Sequence, residues 1–351
     1  MARSHLTLAA LATSAVPGLD VAAAQPFTAN RHGEYDSALI TARDGHHFLV
    51  RVPTSDQAEV AQAAELTALA ALSAGVRSRL PFALSTFVGT SPVRDPRGLP
   101  RAANVYEFVY GRRVVVERMS QELAASIGRA MAALHALPAS FVIDAGLPVV
   151  SAIDSLRSVV TVMDRAAATS LVPAVLLSRW ETATDDTWLW QYQPTVIHGA
   201  MSADVLLHAD SMDGDEIVGV LGWADLRIGD PARDLSWTLS APYGDLVDTV
   251  FECYAAARHT TADRGIRRRA MLYAELELAR WLLHGADTRD TEIVEDAVDM
   301  LESLAASLQG DVGAGLAHET GPVLNVDEVQ RMLDAHPTYP FDQHPRRSLT
   351  E

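Results

Sequence analysis

The chain of 351 residues has no lysine: all 28 basic residues are arginines, set against 45 aspartates and glutamates, for a formal net charge of −17. A phosphate backbone needs a basic patch, so this balance argues against nucleic acid and anionic membrane surfaces as partners. Cys253 is the only cysteine. That excludes an internal disulfide and any cysteine-based zinc motif, and a reducing cytoplasm is the expected compartment. No apolar run reaches the ~18 residues of a membrane span, and no internal repeat is present. The N-terminal Met1-Ala2-Arg3 with the Leu/Ala run to Ala12 has some features of a secretory signal; the alternative is a short amphipathic helix ending near Pro17-Gly18.

What is present is enough apolar residue, 48%, for a sizeable core in two domains or one bilobal unit. The informative stretch is Thr195 to Leu235. Two β-branched runs, Val205–Leu207 and Ile217–Leu221, flank Asp213-Gly214, the signature of a β-hairpin. Before the first run stands His198-Gly199-Ala200-Met201-Ser202-Ala203-Asp204. After the second come Gly222-Trp223-Ala224-Asp225 and Gly229-Asp230-Pro231-Ala232-Arg233-Asp234-Leu235.

This order and spacing resemble the aminoglycoside and macrolide phosphotransferase family, relatives of the protein kinases. Its pattern is His-Gly-Asp, four residues, Asn, a strand pair, (Ile/Leu)-Asp-Trp, then Gly-Asp-Pro-x-x-Asp-Leu. The resemblance covers roughly residues 20 to 308 and implies an α+β, bilobal kinase-like fold, with a small antiparallel β N-lobe and a larger, mainly helical C-lobe. The boundaries expected are an N-terminal extension at 1–30, the N-lobe at 31–108, the C-lobe at 109–309 and a flexible tail at 310–351.

Three positions depart from the pattern. Ala200 stands where the family has its catalytic Asp, Val205 where it has a metal-binding Asn, and Gly222 where it has a second metal-binding Asp. Phosphoryl transfer needs positioning, Mg²⁺ held by oxygens, and a carboxylate that takes the attacking hydroxyl's proton. Losing a general base costs on the order of 10²–10⁴ in rate, and losing the metal removes several kcal/mol more. Asp204 and Asp225, near two of these positions, are either substitute metal ligands or surface loop carboxylates; a one-residue slip at a strand start would turn Asp204 to the opposite face. The expectation is a phosphotransferase-fold protein without catalysis, needing no cofactor and binding a small molecule, a nucleotide or a protein partner. The alternative is a divergent antibiotic or metabolite kinase using ATP or GTP with Mg²⁺.

The retained residues read as scaffold. His198 and Gly199 hold the loop, Asp230 caps the helix after Pro231, and Asp234 resembles the buried aspartate that accepts backbone N–H bonds from the catalytic loop.

In the N-lobe, strands at Ser37–Thr41 and His47–Val52 surround an Asp44-Gly45 turn, and the phosphate-covering loop expected beside them offers only Gly33. The family's phosphate-contacting basic residue falls on Arg51, either a planar fork for phosphate or a surface residue. Ser55 caps a helix to about Ser73, whose Glu65 would pair with Arg51 as in kinases. Leu84–Val88 and Asn104–Phe108 read as strands, and Tyr106 to Gly111, with Glu107, sits where a hinge meets a nucleobase.

The C-lobe helices read as Ser120–Leu137, with His135 structural at its end; two patterns over 151–193 broken at Pro173; Ser236–Leu246; Thr249–Arg258; Arg267–His284, closed by Gly285; and Ile293–Leu308. Trp180, Trp188 and Trp190 are read as core rather than ligand platform.

Overall fold

Helix α1 (His5–Ala15) starts at Ser4, whose hydroxyl accepts the Thr7 N–H. Strands β1 (Val21–Pro26), β2 (Tyr35–Ala42) and β3 (His47–Pro53) follow, then helix α2 (Asp56–Ala71), the single turn α3 (Ala74–Arg77), and strands β4 (Ala83–Leu84), β5 (Phe87–Arg94) and β6 (Pro100–Glu107). This computed structural model describes residues 3–27, 33–211, 214–241, 243–258 and 263–310. Five of the strands form an antiparallel sheet in the order β1-β2-β3-β6-β5.

The period-two alternation of strands decides what each face of this sheet does. Ala38, Ile40, Val50, Val52, Ala103 and Val105 share one face, and Leu8, Ala9 and Ala12 of α1 cover it. Full burial of Leu8 alone stabilises this lid by roughly 1.5–3 kcal/mol. The other face carries Arg51, Asn104 and Tyr106 toward α2.

The sheet begins at residue 21, ten residues before the expected N-lobe boundary. The run Val21-Ala22-Ala23-Ala24 is alanine-rich and has little strand propensity; pairing with β2 overrides it. Arg51 is therefore on the third strand of the sheet, not the second. The strand expected at Leu84–Val88 is two elements: β4 leaves the sheet, and β5 starts at Phe87.

Beyond Glu107 the chain continues as β7 (Arg112–Arg113), α4 (Gln121–His135), α5 (Ser140–Asp144), α6 (Ala152–Ala168), α7 (Ala174–Asp185), β8 (Thr195–Ile197), β9 (Leu206–Ser211), β10 (Gly214–Val220), β11 (Arg227–Gly229), α8 (Ala232–Leu235), α9 (Gly244–Ala257), α10 (Ile266–Thr288) and α11 (Thr291–Gly310). β9 and β10 pair antiparallel, with β7 on one side and β4, parallel, on the other. β8 pairs with β11. The architecture is the expected α+β arrangement, an antiparallel sheet followed by a mainly helical part. Asp213 of the hairpin turn, residues 28–32 of the phosphate-loop region and the expected tail from 311 to 351 lie outside the described residues.

Three local expectations are corrected. Ser236–Ser240 is a 3-10 turn, and the next helix starts only at Gly244. Gly285 lies inside α10 and is not its cap: a Cβ there would sit 2.8 Å from Ile293 Cγ2 and 2.9 Å from Val294 N, so this glycine lets α11 fold back tightly. Trp180 and Trp190 are core, whereas Trp188 is 39% exposed.

Candidate functional site

The loop after β8 is held from beneath by one carboxylate. Asp234, fully buried on α8, accepts the His198 N–H at 2.7 Å and the Gly199 N–H at 2.9 Å. Its Oδ2 also lies 3.2 Å from His135 Nε2, and His135 Nδ1 is 3.0 Å from the Tyr254 hydroxyl. Burial pushes the Asp234 carboxyl up, but the His135 hydrogen bond, the histidine charges and the Gly199 N–H outweigh it and hold the group below its ordinary value. The His198 ring packs edge-on against Trp223 at 4.9 Å, and its Nε2 lies 2.9 Å from the Leu221 carbonyl. A carbonyl only accepts, so Nε2 carries the proton. Burial holds the imidazole below its usual range.

Asp230 is equally enclosed. Oδ1 accepts the Ala232 N–H at 3.0 Å and Arg269 Nη2 at 3.1 Å; Oδ2 accepts Arg269 Nε at 2.8 Å and the Tyr273 hydroxyl at 2.9 Å. Arg269 also donates to the Leu189 carbonyl at 3.1 Å, and its guanidinium lies 4.1 Å from the Tyr192 ring centroid. Arg269 and Tyr273 were missed in the sequence, although their i, i+4 spacing along the apolar stripe Ile266, Ala270, Leu276 was a signal.

The three departing positions lie on this frame. Ala200 lines a cleft of 1380 Å³. Val205 and Gly222 face each other: a Cβ added to Gly222 would lie 3.3 Å from Val205 Cγ1, and the Leu221 N–H donates to the Val205 carbonyl at 2.9 Å. Gly222 has φ +74°, a left-handed conformation that Asp and Asn tolerate better than other side chains. The backbone brings the two positions together, and neither carries a side-chain oxygen.

The nearby carboxylates line different cavities. Asp204 lines the large cleft, with Arg113 Nη1 3.9 Å from its Oδ1. Asp225 accepts Arg227 Nη2 at 2.8 Å and lines a separate groove with Gln57, Val60, Ala61, Ala64 and Ala224. Among the described residues no three His, Cys, Asp or Glu side chains gather as a metal site. With no side-chain oxygen at Val205 or Gly222, and with Asp204 and Asp225 lining different cavities, the donor set at this loop does not fit Mg²⁺.

In the N-lobe, Arg51 Nη2 donates to Glu65 Oε2. The guanidinium lies between two tyrosines, 5.0 Å from the Tyr35 ring centroid and 4.6 Å from that of Tyr106. Burial works against the arginine charge, and the Glu65 carboxylate more than offsets it, raising the pKa. Burial pushes the Tyr35 hydroxyl up to about 12. Arg51 Nε and Asn104 Oδ1 are buried without a hydrogen-bond partner. The Glu107 carboxylate is exposed and is not brought to Arg51 and Glu65; the Glu107 N–H donates to the Thr86 carbonyl at 2.9 Å. The Tyr35–Tyr106 clamp had no sequence signal, because β2 and β6 bring the two rings to Arg51 only from either side of β3.

Residues 26–272 match the model of the phosphotransferase enzyme family (APH). The chain belongs to this family. No curated protein matches the sequence. Among solved structures, the apoenzyme of macrolide 2'-phosphotransferase MphH from Brachybacterium faecium is similar at TM-score 0.68 and 20% identity, over 85% of this chain and 98% of that one. The GDP and kanamycin complex of an APH(2″) enzyme is similar at TM-score 0.67 and 19% identity, over 86% and 99%. The streptomycin and ATP ternary complex of another APH(2″) enzyme is similar at 0.57 and 17%, over 86% and 97%. The phosphotransferase fold of this chain is thus shared over nearly the whole of those chains. Among its described residues no helix is long and apolar enough to cross a membrane.

Proposed function

We propose that this phosphotransferase-family protein binds a small-molecule ligand in its large cleft and does not transfer phosphate. One observation carries the reading: the oxygens that would bind Mg²⁺ and accept a proton are missing at Ala200, Val205 and Gly222, and the two candidate substitutes, Asp204 and Asp225, line separate cavities. Each of the two is also paired with an arginine. Solved relatives hold GDP or ATP, but here the Arg51 fork is taken up by Glu65 and two aromatic faces. The cleft is larger than the ~300–1,000 Å³ of ordinary ligand pockets, which favours a small molecule of substantial size over a protein partner as occupant.

The test is to incubate the purified protein with ATP or GTP, Mg²⁺ and a panel of macrolides and aminoglycosides. No phosphorylated product is expected. Product formation abolished by Asp204→Ala or Asp225→Ala would overturn the proposal. A ligand that binds the native state raises its melting temperature, and no Mg²⁺-dependent rise with nucleotide is expected. The double variant Val205→Asn/Gly222→Asp should acquire one, because the backbone already sets the two positions face to face.

A further inference from the structure

The charged lining of the large cleft, Arg113, Arg233, Arg267 and Arg280 against Glu117, Asp204, Glu275 and Glu277, sums to zero but is not matched pair by pair. Of its lining carboxylates, Asp204 lies 3.9 Å from Arg113, Glu275 accepts Arg179 at 3.0 Å, and Glu277 accepts Arg280. The lining Arg267 is held by Asp248 at 2.6 Å. Glu117 is exposed to water. Arg233 differs: it is half-buried, and among the described residues no carboxylate lies within ion-pair distance of it. Its guanidinium lies 5.2 Å from the Tyr273 ring centroid, and the Tyr273 hydroxyl is fixed by Asp230 at 2.9 Å. Its neighbour Asp234 holds the Gly199 N–H at 2.9 Å, and Ala200, next to Gly199, lines the same cleft. With alanine at 200, no carboxylate at that position offsets the arginine. The rest of the wall includes Trp237, Leu239, Val247, Met271 and Leu278.

We propose that the cleft takes a bulky apolar anion, a carboxylate or sulfonate on a hydrophobic body, with Arg233 as its anchor. The proposal rests on the cleft being a binding site, as argued above. A positioned guanidinium without a counterion forms strong, forked hydrogen bonds to such a group. The same charge, backed by apolar walls, opposes a polycation.

The experiment uses 8-anilinonaphthalene-1-sulfonate as the anionic probe and N-phenyl-1-naphthylamine, which has the same rings without the sulfonate, as the neutral one. Fluorescence titration of the full chain should show one saturable site for the sulfonate. Arg233→Gln should weaken sulfonate binding on the order of tenfold and leave the neutral probe unchanged, and Arg233→Lys should recover part of the loss. Ala200→Asp, which places a carboxylate in the cleft without touching Arg233, should weaken the sulfonate in the same direction and keeps the test open if Arg233→Gln does not fold. Arg43→Gln, which removes an exposed arginine paired with Asp20 outside the cleft, should have no effect. Equal sulfonate affinity in the native, Arg233→Gln and Ala200→Asp proteins would overturn the proposal. So would an equal loss in Arg43→Gln, or displacement of the sulfonate by kanamycin. Phosphoryl transfer is assayed on the same preparations: turnover would refute the inactive reading and leave the charge discrimination standing, whereas failed discrimination without turnover refutes only the anion site.

Discussion

The underside and the upper side of the loop system between β8 and α8 are built on opposite principles. Underneath, Asp230, Asp234 and His198 are fully buried, and both carboxylates accept several hydrogen bonds. Above, Ala200, Val205 and Gly222 present no side-chain oxygen, and the acids near them are partly exposed. Burying a charge is costly unless it is paired and hydrogen-bonded. Two carboxylates are kept inside with full sets of partners while the positions outside carry no oxygens, the contrast on which the proposed inactive reading rests.

The largest effect should come from breaking the underside. Arg269→Met would leave Asp230 buried with only the Tyr273 hydroxyl and the Ala232 N–H, and removing one partner of a buried pair costs about 3–5 kcal/mol. Urea unfolding measures it. A loss below about 1 kcal/mol, the scale of an exposed pair, would mean that the upper and lower sides do not differ in energy as they do in geometry.

A smaller effect, resolved by pH, should come from His198. Its folded pKa lies below the ordinary value of about 6.5, so between the folded and the ordinary value the unfolded chain binds more protons. Stability from this group is complete above about pH 6.5 and falls as pH drops below it, by at most about 1.4 kcal/mol per pH unit. Asp234, whose folded pKa is also depressed, contributes stability that is present above about pH 3.9 and lost as pH falls through its folded value. Denaturant titrations at pH 5, 6 and 7 on the native protein and His198→Gln should show a shallower slope in the variant. Parallel slopes would refute the assignment.

Much of this was legible in the sequence, for reasons that differ by region. The hairpin followed from the residues themselves, because turn residues and β-branched runs report local geometry directly, whereas the α+β fold followed only from the resemblance of the Thr195–Leu235 motifs to the family. The helix start at Ser55 followed from capping chemistry and the one at Ser120 from apolar periodicity, and both serines accept a backbone N–H of the first turn. Strand β1 was hidden because three alanines carry no strand signal, and the sheet alone supplies its partner. Gly285 resembled a helix cap because a glycine near a helix end usually is one; only the approach of Ile293 and Val294 shows its use. The large cleft and Arg233 could not be read at all, since residues from 113 to 304 meet there only in three dimensions.

The smallest effect should be found where an active kinase would show the largest. Asp204 and Asp225 are the acids nearest the vacated positions, and in a protein that used them, Asp204→Ala or Asp225→Ala would abolish Mg²⁺-dependent binding and turnover. Their present contacts predict otherwise. The Asp204–Arg113 pair, at 3.9 Å, is 57% and 39% exposed, and Asp225, at 2.8 Å from Arg227, is 52% exposed. Exposed pairs of this kind contribute about 0–1 kcal/mol, so each alanine variant should unfold within about 0.5 kcal/mol of the native protein. Nucleotide binding, with or without Mg²⁺, should be the same in both variants as in the native chain. A variant that stays folded yet loses an Mg²⁺-dependent thermal shift would move that carboxylate from the scaffold to the chemistry, and the contrast between the two sides of the loop would no longer hold.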